Sequence, residues 1–159
     1  MIEVRHSGDN TLHLGVHELI HGSGAEAAYR IQRAPKVVVH IDSIGGCSRV
    51  ANELIGRLLA HDNYEAYVLG RASSAAALIA RACLQVFIVS TGTVMLHRVT
   101  TAVLGHCEDF EKAITTLSEL DRIQSLVLGL RVPTHEILRL DAPGIIPTMP
   151  GSVTSRLSR

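Results

Sequence analysis

The amino-acid sequence predicts an α/β fold with parallel strand crossovers, and three observations lead to this prediction. Residues 36–41 (KVVVHI) form a β-branched run, which is typical of a strand that is buried on both faces. A helical pattern follows over residues 48–61, and a second strand and helix follow over residues 64–83. Strands that alternate with helices in this way usually form a parallel sheet covered by those helices.

The remaining strands and helices are predicted from the apolar patterns that are typical of each. Strand candidates are short apolar runs bounded by glycine or polar residues. They are residues 11–16, 36–41, 64–69, 86–90 and 93–97. Helix candidates carry an apolar stripe with a period near 3.6, and they are residues 25–33, 48–61, 72–83, 108–129 and 134–140.

The chain is expected to form one domain over residues 1–141, because no internal repeat or low-complexity linker interrupts it. Residues 142–159 contain three prolines, two glycines and several serines. This composition predicts an irregular tail.

Composition excludes several classes of function. The chain has 159 residues, of which 47% are hydrophobic, and its 15 basic and 15 acidic residues balance. It has three Tyr, two Phe and no Trp, so neither a basic field nor a base-stacking surface indicates nucleic-acid binding. No apolar stretch is long enough to span a membrane, and no signal peptide is recognisable. The three cysteines contain no CxxC pair, so we expect reduced thiols and a cytoplasmic protein.

Four segments carry residues suited to acyl-transfer chemistry. Residues 41–46 (IDSIGG) end a strand in two glycines, which allow a substrate backbone to approach closely. Residues 70–74 (GRASS) lead from a strand into a helix, where free N–H groups surround a serine. His97 ends a later strand, and Asp141 follows a short helix candidate. A serine becomes a nucleophile when a base such as histidine removes its proton.

These segments, in this order, resemble the ClpP family of proteolytic subunits. Residues 41–46 resemble the family's I-N-S-P-G-G turn, and residues 70–74 match its G-x-A-x-S motif. Residues 95–97 (MLH) resemble its M-I-H, and residues 104–110 resemble the start of its long handle helix. The sequence departs from the family at Ile44, where the family has proline, and in the short segment after Asp141.

The resemblance implies a ClpP/crotonase-like fold of repeated β-β-α units with a protruding handle helix. It also implies a serine endopeptidase in which Ser74 is the nucleophile, His97 the base and Asp141 the third member of the triad. The backbone N–H groups of Gly46 and Ala75 would form the oxyanion hole, with neither a cofactor nor a metal. The partners implied are unfolded polypeptide or peptide substrates, identical subunits in a ring and an AAA+ unfoldase ATPase.

Three alternatives stay open at the level of sequence. A ClpP-like subunit could assemble without catalysis or act as a phage prohead-type protease. A crotonase-type thioester enzyme would share the fold but would need carboxylates that are not evident. Residues 17–21 form a literal H-E-x-x-H, the zinc-peptidase motif with His17, Glu18 and His21, but the surrounding glycines leave little room for the helix that this motif requires.

Overall fold

The structure is a computed structural model that describes residues 1–129, 144–146 and 155–157. Its strands are β1 (Ile2–His6), β2 (Thr11–Ile20), β3 (Lys36–Gly46), β4 (Tyr64–Ser73), β5 (Gln85–Ile88), β6 (Thr93–Leu96), β7 (Gly144–Ile146) and β8 (Ser155–Leu157). Its helices are α1 (Ala25–Ile31), α2 (Ser48–Leu59), α3 (Ala75–Ala82) and α4 (Cys107–Gly129).

The strands form one sheet in the order β1-β2-β3-β4-β5-β8, and β6 pairs with β4 and with β7. Strands β2, β3, β4 and β5 pair in parallel, as does β6 with β4, whereas β1, β7 and β8 pair antiparallel to their neighbours. The predicted α/β class with parallel crossovers is therefore confirmed.

The chain divides into two compact units. The first comprises residues 1–96 and 144–159 and contains the sheet with α1, α2 and α3. The second comprises residues 97–143 and contains α4, the long helix predicted at residues 108–129. None of the described helices is both long and apolar enough to cross a membrane.

The core of the first unit lies between one face of the sheet and the helices. Alternate residues of the central strands are completely buried, including Leu12, Leu14, Val16, Val37, Val39 and Ile41. Helix α3 contacts β3 and β4, and seven of its eight residues are buried. Its small alanine side chains let the helix approach the sheet closely, which brings its first turn next to the strand ends.

Three strands are longer than predicted. Strands β2, β3 and β4 continue through the motif residues, because the ladder resumes after a register shift between Glu18 and Leu19 and another between Ile41 and Ser43. Strand β1 was not predicted. The tail expected to be irregular includes β7 and β8, and the helix predicted at residues 134–140 lies outside the described residues.

Candidate active site

Ser74 joins the end of β4 to the start of α3 in an unusual backbone conformation. Its φ is 55° and its ψ is −121°, a region that residues other than glycine rarely occupy. The Ser74 N–H donates to the Met95 carbonyl at 2.7 Å, and the Ser74 carbonyl accepts the Leu78 N–H at 3.2 Å. These two bonds hold the residue in a strained conformation, and such strain is concentrated at functional sites.

The side chain of Ser74 does not have the ordinary role of a serine at a helix start. Ser74 occupies the N-cap position of α3, but its hydroxyl makes no capping hydrogen bond. Its side chain is half-buried, whereas the neighbouring Ser73 is only 4% exposed. Because it does not cap the helix, the hydroxyl of Ser74 is available for another interaction.

Gly45 packs directly against the Ser74 turn. A Cβ atom at Gly45 would lie 2.8 Å from the Ser74 Cβ and 3.1 Å from the Ala75 nitrogen. The φ of Gly45 is 91°, which also favours glycine. The strand end of β3 therefore reaches the Ser74 turn only because this position lacks a side chain.

The two predicted oxyanion donors lie on these same elements. Ala75 is the first residue of α3, and the first intrahelical bond is made by the Leu78 N–H, so the Ala75 N–H has no partner in the helix. At the end of β3 the Gly45 N–H already donates to the Ser43 Oγ at 3.1 Å. Gly46, which packs against Ile20, is the next amide along the strand and remains the candidate second donor.

Asp42 shapes the bulge that leads to Ser74. The register between β3 and β4 passes from Ile41 opposite Val68 to Ser43 opposite Ala72, so β4 has extra residues opposite Asp42. The Asp42 Oδ1 accepts the Arg71 N–H at 3.0 Å within that bulge.

The carboxylate of Asp42 also explains why position 70 of the G-x-A-x-S motif is a glycine. A Cβ at Gly70 would lie 2.6 Å from the Asp42 Oδ1. The motif glycine is therefore required for close packing. This role of Asp42 was not predicted from the sequence. Asp42 occupies the position of the asparagine in the I-N-S-P-G-G turn of the ClpP family.

Ser43 ties the glycine turn to β2. Its side chain is 1% exposed, and its hydroxyl donates to the Glu18 carbonyl at 2.5 Å while it accepts the Gly45 N–H. Glu18 has a φ of 47° at the register shift of β2. One buried hydroxyl therefore fixes both irregular strand ends, and this role too was not predicted.

His97 follows directly after β6 and is half-buried. Its Nδ1 lies 2.6 Å from the Arg98 carbonyl. Because a carbonyl oxygen only accepts, this contact places the proton on Nδ1 and leaves Nε2 as a proton acceptor. This is the tautomer that a general base requires. Asp141 lies outside the described residues.

The H-E-x-x-H segment lies in a strand. His17, Glu18 and Ile20 belong to β2, and His21 follows its last residue. Successive strand residues point to opposite faces, so the helical arrangement needed for a zinc peptidase is absent at this segment. The zinc alternative loses its structural basis.

Comparison with known proteins finds a similar structure but no match to a family model or a curated protein. No protein-family model and no curated protein matches the chain. Among solved structures, the ClpP1 N165D mutant from Listeria monocytogenes is similar, with a TM-score of 0.72 and 11% sequence identity. The match covers 85% of this chain and 82% of that chain. The chain therefore has the ClpP/crotonase-like fold that its motifs predicted.

Proposed function

We propose that this protein is a serine endopeptidase that cleaves unfolded polypeptides through an acyl-enzyme, with Ser74 as nucleophile and His97 as base. The observation that carries the proposal is the conformation of Ser74. Its backbone is held at a φ of 55° by hydrogen bonds on both sides, and its hydroxyl does not cap α3. A hydroxyl presented in this way at a helix start is suited to attack a carbonyl.

The reaction proceeds in two steps. The His97 Nε2 takes the proton from the Ser74 Oγ as this oxygen attacks the scissile carbonyl carbon, and the N–H groups of Gly46 and Ala75 stabilise the resulting oxyanion. The C–N bond then breaks, and the imidazolium gives its proton to the leaving amine. A water molecule, deprotonated by His97, hydrolyses the ester and restores Ser74. In this proposal Asp141 stabilises the imidazolium.

The proposed substrate and partners are those that the resemblance to the ClpP family implies. The substrate would be an extended peptide held through main-chain hydrogen bonds, which gives broad tolerance of side chains. The residues after Gly46 cannot provide these bonds as expected from the sequence, because α2 begins at Ser48 and its amides bond within the helix. We further propose that identical subunits assemble into a ring, that α4 contributes to contacts between rings, and that an AAA+ ATPase supplies unfolded substrate. The site of action would be the cytoplasm.

Labelling with a fluorophosphonate tests the proposal. The probe forms a covalent bond with an activated serine, so the wild-type chain should be labelled and Ser74→Ala should not. Ser73→Ala is the matched control, because Ser73 is the adjacent hydroxyl and is buried. This control should keep labelling within about threefold of wild type, whereas His97→Gln should lower it by a hundredfold or more, as expected for general-base catalysis.

Each outcome has a defined meaning. Labelling that persists in Ser74→Ala contradicts the assignment of the nucleophile. Rings that form normally while neither labelling nor peptide hydrolysis occurs would favour the assembly-only alternative. Turnover of an acyl thioester without peptide hydrolysis would favour a crotonase-type activity. Circular dichroism of each variant establishes that it is folded.

A further inference from the structure

A group of histidine and carboxylate side chains surrounds Gly15, on the first unit of the chain. Gly15 of β2 pairs with Glu3 of β1 on one side and with His40 of β3 on the other. A Cβ atom at Gly15 would lie 2.5 Å from the His17 Nε2 and 3.5 Å from the Glu3 Cβ. Glycine inside a strand weakens it and usually marks a close approach of other groups. Here the missing side chain makes room for an imidazole.

Three imidazoles line one cavity at this position. The Nδ1 of His13 lies 3.0 Å from the Nε2 of His40, and their ring planes are 16° apart. His13 and His17 stand two residues before and after Gly15, so all three side chains project from the same face of the sheet. A cavity of about 360 Å³ opens over them, and Glu3 also lines it.

Metal binding needs neutral imidazole in a restrained orientation. Tyr67 stacks on His40 with ring centroids 6.0 Å apart, which restricts the orientation of the ring.

We propose that His13, His17 and His40 bind a divalent transition-metal ion of the zinc type, with Glu3 as a fourth ligand. Imidazole nitrogen suits Zn²⁺ and its neighbours in the first transition row, and three histidines with one carboxylate complete a tetrahedral set. Of the three residues of the H-E-x-x-H motif, only His17 belongs to this site.

Binding requires a small rearrangement of side chains. In the part of the chain that the structure describes, no group of three or more His, Cys, Asp or Glu side chains is arranged so that it could hold a metal ion as it stands. The His13–His40 hydrogen bond has to open, and the ring that donates in it has to move its proton to its other nitrogen, so that both facing nitrogens offer a lone pair to the metal. Two nitrogens 3.0 Å apart both reach one ion at the usual 2.0–2.1 Å bond length when the N–metal–N angle is about 95°.

Glu3 is also available. Its carboxylate pairs with Arg5 at 3.1 Å, and the two side chains are 41% and 79% exposed, respectively. Exposed pairs of this kind are weak, so the metal competes effectively with the guanidinium.

Isothermal titration of the full chain with ZnCl₂ at pH 7.5, after treatment with a chelator, tests this site. We expect one Zn²⁺ per chain and at least a tenfold increase of Kd in His13→Gln, His17→Gln and His40→Gln. His6→Gln is the control, because His6 is an exposed histidine on β1, and its Kd should stay within twofold of wild type. Gly15→Ala keeps every ligand but fills the space beneath the metal, so it should also weaken binding.

The proposal is overturned if the wild-type chain takes up no stoichiometric Zn²⁺, or if the three histidine variants bind as tightly as wild type. His17→Gln guards against a failure to fold, because it leaves the His13–His40 contact in place, and circular dichroism checks each variant. Cobalt absorption should show imidazole coordination in wild type and lose it in His40→Gln. Ser74→Ala should bind Zn²⁺ normally, so the metal site and the peptidase proposal can fail separately.

Discussion

The carboxylate of Asp42 accepts the backbone N–H of Arg71 at 3.0 Å, and this bond holds the bulge of β4 that precedes the Ser74 turn. The bulge lets β4 continue to Ser73, so that Ser74 stands at the N-cap position of α3 beside the end of β3. Asp42 of β3 therefore shapes the path of the neighbouring strand β4. Substitutions at several positions around this hydrogen bond test the arrangement.

Replacement of Asp42 should separate the hydrogen bond from the charge. Asp42→Ala removes the acceptor for the Arg71 N–H, so we expect a loss of about 1–2 kcal/mol in the free energy of unfolding. We also expect fluorophosphonate labelling to slow by tenfold or more. Asp42→Asn keeps an oxygen acceptor and should stay within about threefold of wild type in labelling. Equal effects of both substitutions would show that the charge, and not the hydrogen bond, matters.

Gly45→Ala should damage the turn at Ser74. The added Cβ would lie 2.8 Å from the Ser74 Cβ, and a φ of 91° is strained for alanine, so we expect a loss of at least about 1–3 kcal/mol on urea unfolding. Gly56→Ala is the control, since Gly56 is an exposed position in α2 with open space around it. The control should gain roughly 0.5–1 kcal/mol from helix propensity. A Gly45→Ala protein as stable and as reactive as wild type would contradict the close packing.

Ser74→Gly should stabilise the protein while it abolishes labelling. Glycine adopts the φ of 55° without strain, so the free energy of unfolding should rise by about 1 kcal/mol. Ser74→Ala removes the same hydroxyl but retains the strain, so it should show no comparable gain. Identical stability of the two variants would mean that Ser74 stores no strain.

Ser43→Ala should lower the free energy of unfolding. The side chain is 1% exposed, and its loss would leave the Gly45 N–H and the Glu18 carbonyl without their partner. We expect a loss of about 1–3 kcal/mol, the cost of buried polar groups left unsatisfied. Ser118→Ala, on the exposed surface of α4, should change stability by less than about 0.5 kcal/mol. Urea denaturation of both variants provides the comparison.

The pH dependence of stability should report on His40. Its folded pKa is lowered, chiefly by desolvation, from the ordinary value of 6.5. As the pH falls below 6.5, the unfolded chain binds a proton before the native chain does, so the free energy of unfolding decreases. His40→Gln should show a smaller decrease between pH 7.5 and 5.5 in chelator-treated urea titrations. An unchanged decrease in the variant would show that His40 does not contribute.

The sequence by itself determined the α/β class and the order of the central elements. The β-branched run of β3 and the apolar stripes of α2 and α4 are local patterns with periods of 2 and 3.6, so neighbouring residues suffice to predict them. The turn between a strand and a helix at Ser74 could be predicted for the same reason, because glycine and small residues mark it, whereas the role of Ser74 as nucleophile stays a prediction. Strand β1 carries no such pattern and was missed.

Only the tertiary structure decided how the strand ends are built. The roles of Asp42, Ser43 and Gly45 depend on hydrogen bonds and close contacts between strands that are far apart in sequence. The placement of His13, His17 and His40 around Gly15 depends on the register of β2 against β3. Register is a property of the pairing of two strands, so the pattern within a single segment does not contain it.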